Sequence, residues 1–391
     1  MTKSNKQIPK LRFPEFKNEG EWREEILENV LDYERPDNYI VTNTNYQNDG
    51  TPVLTANKSF ILGYTKENEG IYRNLPAIIF DDFTVDSKFV DFPFKIKSSA
   101  IKILTTKKDD DLRFTYELIS QIKFNASEHK RYYISEYQKL KLPFPKPAEQ
   151  QKIASCISSL DEVISAHSQK LELLKDHKKG LMQNLFPQRG QKIPNFRFPE
   201  FKNDGAWVEK KLGDKDVAFI VNEKISIEAL NASTYISTEN MLAEFTGVSN
   251  ASNLPISGKF TKFKNDDILI SNIRPYLKKV WRANKTGGSS NDVIVFRTKE
   301  KVISDFLEFI IKNEAFINYV MESAKGVKMP RGDKDSMLQY PVFIPSKKEQ
   351  QKIASCLSTV DELITVQKAK IEQLKLHKKG LMQGLFPKMS E

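Results

Sequence analysis

The chain carries one 39-residue segment twice, and this duplication limits its fold more than any other feature. Residues 149–187 read EQQKIASCISSLDEVISAHSQKLELLKDHKKGLMQNLFP, and residues 349–387 read EQQKIASCLSTVDELITVQKAKIEQLKLHKKGLMQGLFP. Aligned without a gap, 26 of the 39 positions are identical, at an offset of 200. A second pair of blocks, IPKLRFPEFKNEGEW at 8–22 and IPNFRFPEFKNDGAW at 193–207, recurs at an offset of 185. The stretches between these constant blocks differ in length and share little sequence. Such a plan is a duplicated domain pair rather than a short-period array.

The constant segment predicts a long helix, since Pro and Glu stand at its start and no Pro or Gly follows until Gly180. Its apolar residues alternate at spacings of four and three. In the first copy these are Ile153, Ile157, Leu160, Ile164, Leu171 and Leu174, with His167 and Lys178 as polar interruptions. The second copy has Ile353, Leu357, Val360, Ile364, Ile371 and Leu374, interrupted at Gln367 and Lys378. That period is a coiled-coil seam. A helix of about 37 residues would span roughly 55 Å. The partner expected for each helix is the other copy, running antiparallel. The fold class is therefore mixed α/β: two globular domains on an antiparallel intramolecular coiled coil, duplicated about a pseudo-twofold. The expected segments are 1–147 (domain one with its lead-in block), 148–187 (first helix), 188–345 (domain two with its lead-in) and 346–391 (second helix and tail).

Both variable segments predict strands, then a helix, then a basic loop and a short apolar exit. In the first, strands at 77–80 and 101–104 precede a helix near 112–124 and the loop Lys130-Arg131-Tyr132-Tyr133. In the second, strands at 268–270 and 293–296 precede a helix near 304–323 and a loop with Lys325, Lys328 and Arg331.

Charge points to a polyanionic partner. The net charge is +10, and residues 259–285 alone hold eight Lys and Arg against Asp266 and Asp267. Lys and Arg neutralise phosphates, while Arg and Asn can pair with base edges in the major groove. The candidate DNA-binding residues of the second segment are Asn272, Arg274, Tyr276, Lys278, Lys279, Arg282, Lys285, Ser290, Asn291, Lys325, Lys328 and Arg331. Those of the first are Arg73, Lys88, Lys95, Lys97, Lys130, Arg131 and Tyr132.

Other chemistry is poorly represented. Two cysteines and four histidines exclude a disulfide framework and a Cys/His zinc cluster. No phosphate-binding loop, GxGxxG, GxSxG or HExxH occurs. Asp81, Asp82, Asp86 and Lys88 offer a faint metal-dependent nuclease pattern, and a stand-alone coiled-coil DNA-binding protein is a third reading. No apolar run is long enough to span a membrane. The polar start MTKSNK has no signal core, which predicts a cytoplasmic chain.

The paired EQQKIASC…LFP segments, the exits LPFPKPAEQQ and VFIPSKKEQQ, the RFPEF…W blocks and the stretch ILISNIRPYLKKVW…SSNDVIVFR together resemble the specificity subunit of a Type I restriction–modification system. The resemblance covers essentially the whole chain. It implies a non-catalytic subunit that reads a bipartite, asymmetric double-stranded DNA target, one variable target-recognition domain per half. It also implies helices that dock two methyltransferase subunits, with two restriction/translocase subunits joining for cleavage. No cofactor would sit in this chain. S-Adenosylmethionine, ATP and Mg²⁺ would belong to the partners.

Overall fold

The computed structural model describes residues 7–388 apart from 58, 128, 129, 189 and 327. The chain falls into two compact units, residues 1–168 with 369–391 and residues 169–368. Each is built from its own variable segment plus one half of each long helix. Among the described residues no helix is long and apolar enough to cross a membrane.

In the first unit, β1 (Arg23–Ile26) pairs antiparallel with β9 (Lys141–Phe144), so the chain enters and leaves the variable segment side by side. The one-turn helix α1 (Leu27–Val30) leads into β2 (Leu31–Glu34), which joins β5 (Ala77–Asp81), β6 (Ser87–Val90) and β8 (Ile101–Thr106) in an antiparallel sheet of order β2-β8-β5-β6. A smaller sheet combines β4 (Ile61–Thr65), β3 (Thr51–Leu54) and β7 (Lys95–Ile96). Helix α2 (Leu112–Ile119) starts where Asp111 accepts a hydrogen bond from the Phe114 N–H.

The second unit repeats this plan. β10 (Val208–Lys211) pairs with β19 (Pro341–Ile344). A four-stranded antiparallel sheet has the order β11 (Ala218–Ile220), β18 (Val293–Thr298), β15 (Ile268–Ser271), β16 (Val280–Arg282). A smaller sheet joins β12 (Lys224–Ser226), β14 (Lys259–Phe263), β17 (Gly287–Ser289) and β13 (Tyr235–Ile236). The helix expected over 304–323 is in fact two, α4 (Ser304–Ile311) and α5 (Glu314–Glu322), and the short α6 (Lys334–Leu338) precedes β19. Asn313 breaks it, because its side chain caps α5 by accepting from the Ala315 N–H. In the first unit α2 likewise ends at Ile119, short of the expected 124.

The long helices are α3 (Pro147–Asn184) and α7 (Lys347–Leu385). Along their middle turns the seam positions are the ones withdrawn from water, while the flanking positions face solvent. Within the first unit Ile153 and Ile157 of α3 pack in one core with Leu381 and Leu385 of α7. Farther along, Lys378 Nζ lies 2.8 Å from Asp161. Rising numbers on one helix thus meet falling numbers on the other, which is antiparallel packing. The second unit has the matching pair, Lys178 Nζ to Asp361 at 2.6 Å.

The duplicated lead-in blocks are explained by what they touch. Trp22 packs edge-on against Phe114 (5.7 Å) and Phe386 (6.2 Å), and Phe114 stacks on Phe386 at 5.3 Å. Trp207, Phe306 and Phe186 form the same triad, with Phe186 stacked on Phe306 at 5.4 Å. The Arg of each RFPEF block grips the first turn of a long helix. Arg12 donates to both oxygens of Glu149 at 2.8 and 2.7 Å, and Arg197 to both oxygens of Glu349 at 2.8 Å. Arg12 also donates to the Glu19 and Gly20 carbonyls. Both pairs are buried, the carboxylates at 1% exposure. Removing one partner of a buried pair strands the other charge. Arg12→Ala should therefore destabilise the first unit by about 3–5 kcal/mol, read as a lowered urea midpoint in the fluorescence of the buried Trp22. An unchanged midpoint would remove this pair from the frame.

Candidate nucleic-acid interface

The second unit gathers its polar and basic loop residues at one end of the β11-β18-β15-β16 sheet. Asn272 follows β15, Ser290 and Asn291 precede β18, and Lys279 precedes β16. Backbone hydrogen bonds tie residues 330–332 to this end and Lys325 to Arg331. Gly332 N–H donates to Asn272 O (3.1 Å), Arg274 N–H to Pro330 O (2.8 Å), and Lys325 and Arg331 exchange N–H···O bonds at 2.9 Å. Gly332 sits where a Cβ would collide with Met337, at 2.5 Å, and with Val320. Arg274, Tyr276, Asn291, Lys325, Lys328 and Arg331 are exposed here, whereas Asn272, expected to touch DNA, is buried at 8% exposure because its backbone anchors the loop.

The turn that presents Tyr276 is strained. Arg274 (φ 50°) and Lys278 (φ 53°) flank the single 3₁₀ turn Pro275–Leu277, both left-handed without being glycine. Each such residue costs on the order of 1–3 kcal/mol and persists only where its surroundings dictate it. Here Glu244 and Phe245, themselves left-handed, donate their N–H groups to Leu277 O and Lys278 O. Lys278 Nζ meets Glu314 at 2.5 Å. An exposed Tyr held on a fixed turn beside Arg274 suits a nucleic-acid surface.

Several basic residues of the same stretch serve the fold instead. Arg282 is bound by Asp305 (2.5 Å) and Glu308 (3.0 Å) of α4. Lys278 is held as above, Lys279 donates to Thr238 O at 2.6 Å, and Lys285 lies 5.6 Å from the Trp281 ring. The charge of residues 259–285 is therefore partly neutralised internally, a pattern that residue counts do not reveal.

In the first unit two expected contacts need correction. Lys95 is 3% exposed, with Nζ 2.8 Å from Glu67 and 2.7 Å from Glu69 O. Tyr132 is 2% exposed and packs edge-on to Phe124 at 5.3 Å. Both are interior groups, because the first is needed by a carboxylate and the second by an aromatic core. Lys88 lines an open cleft of about 660 Å³ with Arg113, Glu117, Asp161 and Lys378. Arg73 and Lys97 are exposed around the smaller sheet, and Lys130 and Arg131 are exposed at the end of the larger one. Lys130 also pairs with Glu136 at 2.8 Å.

The acidic cluster considered for nuclease chemistry is occupied by structural work. Asp81 Oδ1 accepts from the Phe83 and Thr84 N–H groups. Asp82 accepts from the Tyr133 N–H at 2.8 Å and lies 3.5 Å from Lys102 Nζ, with both side chains buried. Asp86 accepts from the Thr84 hydroxyl.

Comparisons with known proteins point one way. The family profile described as "Type I restriction modification DNA specificity domain" matches residues 19–176 and 205–376. The chain is 41% identical over 145 residues to the Type I restriction enzyme EcoR124I/EcoR124II specificity subunit of Escherichia coli, covering 35% of this chain and 36% of that protein. It is 24% identical over 381 residues to the Type I restriction enzyme MjaVIII specificity subunit of Methanocaldococcus jannaschii, covering 91% of this chain and 87% of that one. Among solved structures, the S subunit of a Type I restriction–modification system from M. genitalium superposes with a TM-score of 0.65. It covers 98% of this chain and all of its own length at 16% identity, a likeness of fold.

The interior role of Lys95 has a pH signature. Its hydrogen bond, joined by the N–H groups of Asn43 and Thr42 and the Thr42 hydroxyl, holds the Glu67 carboxyl down at about 2. A carboxylate depressed in the folded state stabilises above its ordinary value of 4.5, and that stabilisation is lost as pH falls toward about 2. Glu67→Gln should remove this acid-dependent loss. The check is the thermal midpoint of variant and parent at pH 6 and pH 3, whose difference should shrink at the lower pH.

Proposed function

Because the chain belongs to the Type I restriction–modification DNA specificity family, we propose that it selects the DNA sequence on which the system's partner enzymes act. The observation that carries this reading is the repetition of one architecture with unlike loops. Two units whose larger sheets share one strand order hang on duplicated helices, yet the residues at the corresponding strand ends differ: Asp82, Phe83 and Tyr132 in one, Asn272, Ile273 and Gly332 in the other. A common scaffold with different loops is how a protein reads two unlike half-sites. The target is accordingly bipartite and asymmetric, each variable segment reading one part in double-stranded DNA.

The chain itself contributes recognition and assembly. Two methyltransferase subunits dock on the helices and bring S-adenosylmethionine for adenine methylation. Two restriction/translocase subunits bring the ATP- and Mg²⁺-dependent steps. Positive charge on the loops draws in the duplex, and linking two modest readers in one chain raises the effective concentration for the second.

Replacing residues 212–340 with the corresponding segment of another family member should change one half of the methylated motif and leave the other half intact. The readout is an adenine-methylation map of cells that express this chain with the methyltransferase subunit of its system. Methylation independent of the chain would exclude it as the determinant of the target, and a change in both halves would exclude one reader per half.

A further inference from the structure

Two arginines hold the same place in the two units. Arg131 and Arg331 are 200 residues apart, the offset of the constant helices. From 131 to 145 in that gapless register, the only identical positions are Arg131/Arg331 and Pro145/Pro345. The backbone bears out the register. In the first unit Asp82 directly follows β5, donates its N–H to Ala100 O (2.8 Å) and accepts from the Tyr132 N–H (2.9 Å). In the second, Asn272 directly follows β15, donates to Asp292 O (2.8 Å) and accepts from the Gly332 N–H (3.1 Å). The residue before each of those N–H donors is the arginine. Six residues beyond it, Tyr137 and Met337 are both buried, so the two loops are anchored at both ends in the same way.

The arginines project from this shared anchor into different surroundings. Arg131 lies 5.7 Å from the Phe83 ring. Arg331 is 57% exposed and 3.1 Å from Asp292. Both are accessible, and among the described residues neither is committed to a buried partner.

If the units read unlike half-sites, the groups that touch bases have to differ between them. A group that stays the same while its neighbours change serves what both half-sites share, the sugar–phosphate backbone. A guanidinium suits a phosphate as a charged, forked donor. We propose that Arg131 and Arg331 are matched phosphate contacts, one per half-site, which fix each unit's position on the duplex and read no base. The inference rests on the specificity-subunit reading given above and deepens it.

The test uses the full chain in complex with the methyltransferase subunit of its system. Affinity is measured across a KCl series on a duplex carrying the methylated motif and on a scrambled duplex. The proteins are wild type, Arg131→Ala, Arg331→Ala, the double variant and the two Arg→Lys variants. Losing one phosphate contact should reduce the log–log salt slope by about 1, and losing both by about 2. Affinity should fall by the same factor on both duplexes, and the motif mapped in cells should stay unchanged. The Lys variants should keep the slope, which also guards against misfolding of the Ala variants. A relaxed or altered base in either half, or an unchanged slope, would overturn the assignment. Wild-type complex that binds both duplexes equally would instead overturn the specificity reading beneath it.

Discussion

The first turn of each long helix is the point to which the rest of its unit is fastened. In the first unit Glu149 holds Arg12 of the lead-in block, and the next residue, Gln150, holds the variable segment. The Gln150 amide donates to Asp110 Oδ1 (2.7 Å) and Pro145 O (3.0 Å), and its oxygen accepts from the Asp111 N–H (2.8 Å). Asp111 in turn caps α2, and Phe114 of that helix stacks on Phe386 beside Trp22. Buried polar groups that are all satisfied act as a rigid joint, because any alternative arrangement leaves one of them unpaired in the interior. The carboxylate, the amide and the aromatic triad therefore set where β1, β9, α2 and the end of α7 meet.

That joint also explains how the variable segments can diverge. Gln350 repeats the arrangement with other residues: its amide donates to Lys301 O and Pro345 O, and its oxygen accepts from the Ile303 N–H. Where the first unit offers an Asp side chain, the second offers a backbone carbonyl. The frame thus grips mainly main-chain groups, which every sequence supplies. An attachment of this kind asks little of the variable sequence beyond a helix start and a Phe at its base.

This division decides what could be seen in the sequence. The seam was legible because coiled-coil packing acts through side chains at a fixed spacing, and Ile153, Ile157, Ile353 and Leu357 do pack as that spacing requires. The kinship of the two sheets was illegible because it resides in hydrogen-bond register: Asp82 and Asn272 share an anchoring role that their flanking residues do not announce. Charge counts misled for a related reason. Lys95 and Arg282 add to the basic total, yet each is used by carboxylates distant in sequence, Glu67 for the first and Asp305 and Glu308 for the second. The break between α4 and α5 turned on a local competition at Asn313, whose side chain caps the second helix where the apolar pattern alone runs on. A gapless extension of the 200-residue offset back through the exit strands to Arg131 and Arg331 was the one available clue to the loop equivalence.

The constant lysines show the same accommodation on the helices themselves. Lys378 and Lys178 each pair with the aspartate of the facing helix, but what the variable segment presents to them differs. In the first unit Lys378 lies 3.7 Å from Glu117, whose pKa burial raises, the charges of Lys378 and Arg113 offsetting only part of the rise. In the second, Lys178 sits 5.8 Å from the Phe309 ring. Counting from the helix starts that Gln150 and Gln350 anchor at Asp111 and Ile303, Glu117 and Phe309 occupy the same turn. Beyond the aspartate that each ammonium pairs with, the second neighbour is thus a carboxylate in one case and an aromatic face in the other, since a flexible stem can bring it near either. A lysine at this junction fits variable segments of opposite character, whereas a residue demanding one shape of partner would restrict which segments the helices could carry.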